Sequence, residues 1–433
     1  MKHDEGLVRG IGPLGLTAAV VNVVVGGGIF VLPAAVAGEV GGAGVLAYVI
    51  CGIALLLVTC SFAIAGMHVS HTGGAYAYVE AAFGPFVGYL AGVLAWLSGA
   101  LASASLIAAL AGLTTQAYPR FQAPAAQLVL VVLIYAAPIA LNLLAINVGT
   151  RLIVATTVIK LGTLLLFLLV ATQAVAVSNL QWPPAVDAGH LGRATILILF
   201  ALAGMEAAVG ASGEIRDPGR TVPVGLLAGI SLVVLFYIAT HLVAQGVLGA
   251  GLAGSQAPLA DAVARVWPAG RTLMLGGMVF SMLGLLAGNL LGSSRILYAF
   301  ARDGILPAGI ATLHPRTRIP YIAVLLHSVI TLALAATRTF AKLAILASVT
   351  IAVLYGMTCC AAFMLAGRAQ ANNGFRLPVR AQRLVAALGV CAILWLAAQS
   401  TRDELGSVAA TSLVASLVFL LTRRAHAARP PAE

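Results

Sequence analysis

The chain has 433 residues, of which 61% are hydrophobic and only 9% are charged. A soluble domain carries about 25% charged residues, so the composition excludes a string of soluble domains and indicates an integral membrane protein. The net charge of +11 is spread over the whole chain. This distribution argues against a nucleic-acid partner and leaves the lipid bilayer as the surroundings.

Successive apolar runs are long enough to cross a hydrocarbon core about 30 Å thick. We count twelve of them, centred near residues 24, 55, 100, 133, 162, 202, 236, 286, 329, 353, 391 and 414. With the N-terminus inside, the predicted inside loops and tails hold 16 of the 24 Lys and Arg residues, and the outside loops hold 7. This is the positive-inside pattern. It predicts an all-α, multi-pass protein of the cell membrane with both termini in the cytoplasm.

The first predicted helix covers about residues 11–38 and contains three consecutive glycines, Gly26, Gly27 and Gly28, followed by Ile29. Glycine costs about 1 kcal/mol relative to alanine in a helix interior, so the triplet predicts a break. Unwound backbone at membrane depth is tolerated only where it lines a cavity or is covered by protein. The break is therefore a candidate binding site.

The second predicted helix covers about residues 45–65 and is followed by a polar inside segment, residues 68–80. Helices 3, 4 and 5 come next, and helix 5 contains Lys160. If this helix begins near Gly149, Lys160 lies about 17 Å into the membrane. A lysine at that depth costs roughly 2.5–3.5 kcal/mol and usually marks an ion pathway. Two interpretations stand: a permanently charged strut, or the favoured proton-coupling group.

The sixth predicted helix begins near Leu191 and gives way at Gly204. Its second half carries Phe200, Ala201 and Ala203 before the glycine, and Glu206 after it. Paired interruptions in the two halves of a membrane protein indicate the substrate site of a transporter. Glu206 either holds the broken backbone in shape or senses protons, and the sequence favours neither role.

The other polar residues of the spans indicate no active site. The five cysteines have no metal-ligand spacing and are interpreted as buried small apolar residues. His241 and His327 are isolated within spans and are predicted to be satisfied packing histidines. No nucleophile or metal motif is visible, so the sequence predicts that the chain is not an enzyme.

Four motifs in this order resemble the amino acid–polyamine–organocation superfamily of transporters. They are residues 26–30 in helix 1, residues 72–76 after helix 2, residues 204–223 from the break in helix 6, and residues 301–307 after helix 8. The resemblance covers nearly the whole chain. It implies two inverted five-helix repeats plus two peripheral helices, and amino acid transport by alternating access. Many relatives carry an aromatic residue where this chain has Met205.

The resemblance also implies roles for the residues at the two breaks. The amides of Gly27, Gly28 and Ile29 would donate to a substrate carboxylate, and the carbonyls of Phe200, Ala201 and Ala203 would accept from its ammonium group. Close helix packing is the structural alternative for the glycines. Some proton-coupled relatives place a lysine of helix 5 where sodium-coupled relatives bind the cation, which favours a coupling role for Lys160.

The sequence thus predicts proton-coupled uptake of small or medium neutral amino acids, since Glu206 is the single acid predicted in the central spans. An exchanger, or a transporter of cationic amino acids or polyamines, is the alternative, and a channel or membrane-embedded enzyme is the alternative from another class. No cofactor is expected, the proton is favoured over sodium, and protein partners are not predicted. The expected regions are the tail 1–10, repeats 11–177 and 178–367, the loop and helices of 368–424, and the tail 425–433.

Overall fold

The computed structural model of the protein describes residues 10–69, 74–144, 149–209, 215–315, 317–337, 339–368 and 377–427. Residues 72–73 and 210–214 of the sequence motifs, and most of both predicted tails, lie outside the described residues. Within the described ranges the chain is helical, and its β-type pairing is one isolated bridge between Ile11 and Ile215.

The first eight α-helices reach from the N-terminal side to the start of the second break. They are α1 (Pro13–Val24), α2 (Leu32–Val40), α3 (Gly44–His68), α4 (Ala75–Phe83), α5 (Pro85–Ala117), α6 (Pro124–Leu144), α7 (Gly149–Ala171) and α8 (Ala188–Leu202).

Eight further α-helices follow in the described residues. They are α9 (Met205–Ala208), α10 (Pro218–Leu248), α11 (Pro258–Val266), α12 (Gly270–Arg302), α13 (Tyr321–Thr337), α14 (Phe340–Leu365), α15 (Val379–Ala398) and α16 (Arg402–Ala427). Short 3₁₀ turns cover Gly28–Phe30, Gly41–Ala43, Pro119–Phe121, Thr172–Ala174, Val177–Leu180, Gly249–Gly254 and Ala308–Ala311.

Ten helical segments of the described chain are long and apolar enough to cross a membrane, and α1 and α13 are shorter apolar helices. The outermost face is that of α16, where only 11% of the most apolar window is buried by protein. Its exposed large apolar residues are five leucines and Val414, as expected of a surface that lipid covers. The predicted all-α, multi-span class is therefore confirmed.

The chain forms two compact units, each built from three segments. The first unit comprises Met1–Ala91, Leu161–Gly276 and Ile351–Thr401, and the second comprises Gly92–Lys160, Gly277–Thr350 and Arg402–Glu433. Within the first unit, α10 packs against α1 and α3, and α3 also packs against α8 and α15. Within the second unit, α6 packs against α13.

Small residues let α1 and α10 approach closely in the first unit. A Cβ atom at Gly225 would lie 2.8 Å from the side chain of Leu16, and one at Gly229 would lie 2.7 Å from Cβ of Val20. Real Cβ atoms do not approach other atoms this closely. Glycine at these positions therefore sets the spacing that places α1, and the break that follows it, beside α10.

We expect Gly229→Ala to lower the apparent melting temperature in detergent, although alanine favours a helix interior by about 1 kcal/mol over glycine. The reason is that overpacking a tight contact typically costs about 1–3 kcal/mol. Gly276→Ala on α12 is the matched control, because a Cβ atom there meets nothing within 4 Å, and it should leave the melting temperature equal or higher. Equal stabilisation by both variants would show that the α1–α10 contact is not tight.

Candidate functional site at two broken helices

The first helix is interrupted at the glycine triplet, as predicted. α1 ends at Val24, the amide of Val25 still donates to the Val21 carbonyl at 2.9 Å, and a 3₁₀ turn covers Gly28–Phe30 before α2 begins at Leu32. Pro33 is the second residue of α2, where a missing N–H costs no helical hydrogen bond. All residues from 24 to 30 are buried.

The interruption leaves donors of the backbone unused. Among the described residues, the amides of Gly27, Gly28 and Ile29 donate to no backbone carbonyl. They precede α2, whose N-terminus carries a partial positive charge. A row of buried amides before a helix N-terminus is suited to an anionic group such as a carboxylate.

The sixth helix is interrupted at Gly204, also as predicted. α8 ends at Leu202, Ala203 is extended, and α9 starts at Met205. Gly204 has a φ angle of +129°, a backbone conformation that residues other than glycine rarely adopt. The carbonyls of Ala201 and Ala203 accept from no backbone amide of the described chain, so this break offers acceptors where the first offers donors.

The two interruptions lie against each other within the first unit. A Cβ atom at Gly28 would lie 3.0 Å from the ring of Phe200 and 3.3 Å from Cβ of Ala201. One at Gly204 would lie 3.2 Å from Cγ1 of Val23. The structure therefore places Gly28 of the first interruption beside Phe200 and Ala201 of the sixth helix, and Gly204 beside α1.

Glu206 holds the break in the sixth helix. Its Oε2 accepts from the Gly204 amide at 3.1 Å and from the hydroxyl of Tyr355, on α14, at 2.6 Å. Of the two roles left open by the sequence, the structural one thus has direct contacts. Tyr355 was not identified from the sequence, because its partner is 149 residues away.

A second tyrosine holds the break in the first helix. The hydroxyl of Tyr237, on α10, donates to the carbonyl of Val24 at 3.1 Å, and the backbone of Gly26 lies beside the same oxygen. This residue was also missed, since a tyrosine in an apolar span gives no sequence signal that distinguishes a backbone contact from ordinary packing.

Lys160 lies near the middle of α7, which begins at Gly149 as expected, and its side chain is 8% exposed. It is the last residue of a segment of the second unit, whereas the glycines and the residues of the sixth helix belong to the first unit. Its burial agrees with an interior lysine, and its coupling role stays a prediction.

The beginning of α8 is fixed by a side-chain cap. Asp187 accepts from the amide of His190 at 2.8 Å, and this hydrogen bond holds the pKa of the Asp187 carboxyl below its usual range. His190 also contacts Glu39, at the end of α2, at 2.9 Å. These polar contacts connect the far ends of the two half-helices α2 and α8.

The two histidines of the spans differ from each other. His327 is buried with Nε2 3.3 Å from the Thr331 hydroxyl, whereas both ring nitrogens of His241 are buried without a partner in the described chain. The prediction of a satisfied packing histidine is therefore wrong for His241, because no group of the described chain lies within hydrogen-bond distance of either ring nitrogen.

We expect Glu206→Leu to lower the apparent melting temperature clearly, and Glu206→Gln to lower it little. Leucine leaves the Gly204 amide and the Tyr355 hydroxyl without their acceptor, and an orphaned buried group costs about 1–3 kcal/mol. The glutamine amide oxygen still accepts from both. Thermal unfolding of the purified variants in detergent measures the difference. Equal melting temperatures for both variants would contradict the holding role of Glu206.

Comparison with known proteins agrees with this geometry. The amino acid permease family matches residues 11–420. The branched-chain amino acid permease BcaP of Bacillus subtilis is 25% identical over 350 residues, which is 74% of this chain and 73% of that protein. The serine/threonine exchanger SteT of the same organism is 26% identical, covering 86% of each chain. The methylthioribose transporter of B. subtilis is 24% identical, covering 98% of this chain and 95% of that protein.

The family and these relatives are transporters, which confirms the superfamily resemblance and the prediction that the chain is not an enzyme. The family match extends over both broken helices and over the spans on either side of them. By this match, which covers most of its length, the chain belongs to the amino acid permease family.

Proposed function

We propose that the protein is a secondary active transporter that takes up small or medium neutral amino acids together with protons, by alternating access. The observation that carries this proposal is the pair of opposed interruptions, with unused amides at Gly27–Ile29 and unused carbonyls at Ala201 and Ala203. Family membership supports amino acid transport, and the geometry supports the place where the amino acid binds.

A bound amino acid would have its carboxylate at the amides of Gly27, Gly28 and Ile29, next to Gly26 and before the positive end of α2. Its ammonium group would be at the carbonyls of Ala201 and Ala203, near Gly204. The Phe200 ring, 3.0 Å from the position of a Cβ atom on Gly28, would contact the substrate from the side of the sixth helix. Backbone groups would then replace the water around both charged ends of the substrate.

A neutral side chain is favoured because the acid at the break is already occupied. Glu206 Oε2 accepts from two groups of the protein, so this oxygen is not available to a substrate cation. The names of BcaP and SteT denote neutral amino acids, which supports the same class. An exchanger, a carrier of cationic amino acids or polyamines, and a carrier of a neutral non-amino-acid solute are the alternatives.

The finer architecture belongs to the same proposal. We infer twelve membrane helices, with inverted repeats over residues 11–177 and 178–367 and peripheral helices over 368–424. Both termini would be cytoplasmic, in agreement with the positive-inside pattern. An odd number of helices in each repeat inverts the second repeat relative to the first, which allows the two breaks to oppose each other near the middle of the membrane.

We expect Gly28→Val to abolish uptake of neutral amino acids into proteoliposomes while the protein still inserts in the membrane. A side chain at this position meets the Phe200 ring at 3.0 Å and the Ala201 Cβ at 3.3 Å, and fills the space between the breaks. Gly276→Val, with nothing within 4 Å, is the matched control and should keep uptake. Normal uptake by Gly28→Val would exclude this binding site, and wild-type uptake of arginine or spermidine alone would establish the cationic alternative.

Lys160 is the proposed proton-coupling group. Loss of its proton would remove a buried charge, and a charge change that differs between two conformations shifts their populations. We expect Lys160→Ala to lose uptake driven by an inward proton gradient at equal sodium on both sides, while exchange of labelled for unlabelled substrate continues. Lys342→Ala, at an exposed lysine of α14, should keep both activities. A full pH response in Lys160→Ala, or uptake that follows sodium, would contradict the coupling role.

A further inference from the structure

A buried histidine that the proposed mechanism does not use lies close to the first break. His241, on α10, is 1% exposed, and neither of its ring nitrogens has a partner in the described chain. Its ring lies against that of Tyr48, on α3, with centroids 4.9 Å apart and an angle of 38°. The Tyr48 hydroxyl is buried and unpartnered as well. Two adjacent orphaned polar groups are rare in a protein interior.

The space for the imidazole ring is created by a glycine. A side chain at Gly44, the first residue of α3, would collide with Nε2 of His241 and would lie 3.0 Å from the Val36 side chain of α2. The ring therefore occupies a gap that α2, α3 and α10 share. The packing of these helices therefore accommodates the imidazole only because position 44 has no side chain.

Polar groups connect this gap to the break in the first helix. Tyr237 precedes His241 by one helical turn on α10 and donates to the Val24 carbonyl at 3.1 Å. Because four residues separate Tyr237 from His241, both side chains lie on one face of α10. His241 thus has Tyr48 against its ring and Tyr237 one turn before it, and Tyr237 bonds the last carbonyl of α1.

Polar groups also continue from the gap in the opposite direction. Gln245 follows His241 by one turn and is 5% exposed, and its Oε1 has no partner in the described residues. It lines a pocket of about 330 Å³ at the end of α10, together with Gly42, Asn179 and Gly249. A solute in this pocket, including water, would be one turn from the imidazole.

Several of the charged groups on the neighbouring helices have partners of their own. The ionisable groups on the helices packed against α10 are Tyr48, Cys51, Cys60 and His68 on α3, Glu39 on α2, His190 and Arg193 on α8, and Asp261 and Arg265 on α11. Glu39 contacts His190, and Asp261 pairs with Arg271 at 3.0 Å. Protonation of His241 would therefore change the net charge in the gap between α2, α3 and α10.

We propose that His241 is a proton-binding site, reached from the pocket beside Gln245, whose occupancy is transmitted through Tyr48 and Tyr237 to the first break. An imidazole nitrogen would take the proton from water in the pocket, and both nitrogens would then donate, one of them to the Tyr48 hydroxyl oxygen. The new charge on the imidazole would act on Tyr237, one turn away on α10, whose bond to Val24 holds α1. This inference rests on the proposed proton coupling and adds a site to Lys160.

The test compares His241→Gln with His327→Gln, a buried histidine of the second unit whose ring bonds Thr331. Substrate exchange at equal pH and gradient-driven uptake are both measured in proteoliposomes, over external pH from about 5.5 to about 7.5, the range in which an ordinary histidine titrates. We expect His241→Gln to keep exchange within about twofold and to lose most of the pH dependence of uptake, and His327→Gln to keep the wild-type profile. Tyr48→Phe should shift the profile in the same direction as His241→Gln.

Each other outcome overturns the site. An unchanged profile in His241→Gln and in Tyr48→Phe would show that no proton is transmitted here. An equal loss of uptake by His241→Gln at every pH would assign His241 a packing role, with a buried water molecule as the partner of its ring. If His241→Gln does not fold, the profile of Tyr48→Phe decides. Wild-type uptake that ignores pH removes proton coupling itself, whereas a wild-type response that survives both variants removes only the His241 site.

Discussion

Every backbone amide and carbonyl inside a bilayer must find a partner, because lipid offers none and each unpaired group costs several kcal/mol. A continuous helix meets this requirement within itself. This chain breaks two helices, at Gly26–Gly28 and at Gly204, and thereby frees groups that only protein or substrate can satisfy. The side-chain contacts around both breaks follow from which partners satisfy those groups.

The protein satisfies some of the freed groups with side chains from distant helices. Tyr237 bonds the carbonyl at the end of α1, and Glu206 with Tyr355 bonds the amide of Gly204. These contacts hold both breaks through side chains of the protein itself. The amides of Gly27–Ile29 and the carbonyls of Ala201 and Ala203 are left, and they have the polarity that an amino acid's two charged ends require. The backbone groups that the side chains hold are thus distinct from the amides and carbonyls that we propose bind the substrate.

Much of this arrangement could be predicted from the sequence, because the breaks depend on the free-energy cost of glycine within a helix. Three glycines in one helix and a glycine before an acid in another are weak points by propensity alone, and both breaks are found where expected. The apolar runs likewise predicted the all-α class. What holds the breaks could not be predicted, since Tyr237 and Tyr355 act on partners 213 and 149 residues away. The unpartnered ring of His241 depends on a gap that Gly44 opens in another helix.

The most direct test of the central claim is a cryo-electron microscopy map of the protein in lipid nanodiscs with the neutral amino acid that stabilises it most. Our account predicts ligand density between the two breaks. Its carboxylate would lie within hydrogen-bond distance of the Gly27–Ile29 amides, and its ammonium within the same distance of the Ala201 and Ala203 carbonyls. Ligand density at another place, with protein or lipid filling the space between the breaks, would contradict it.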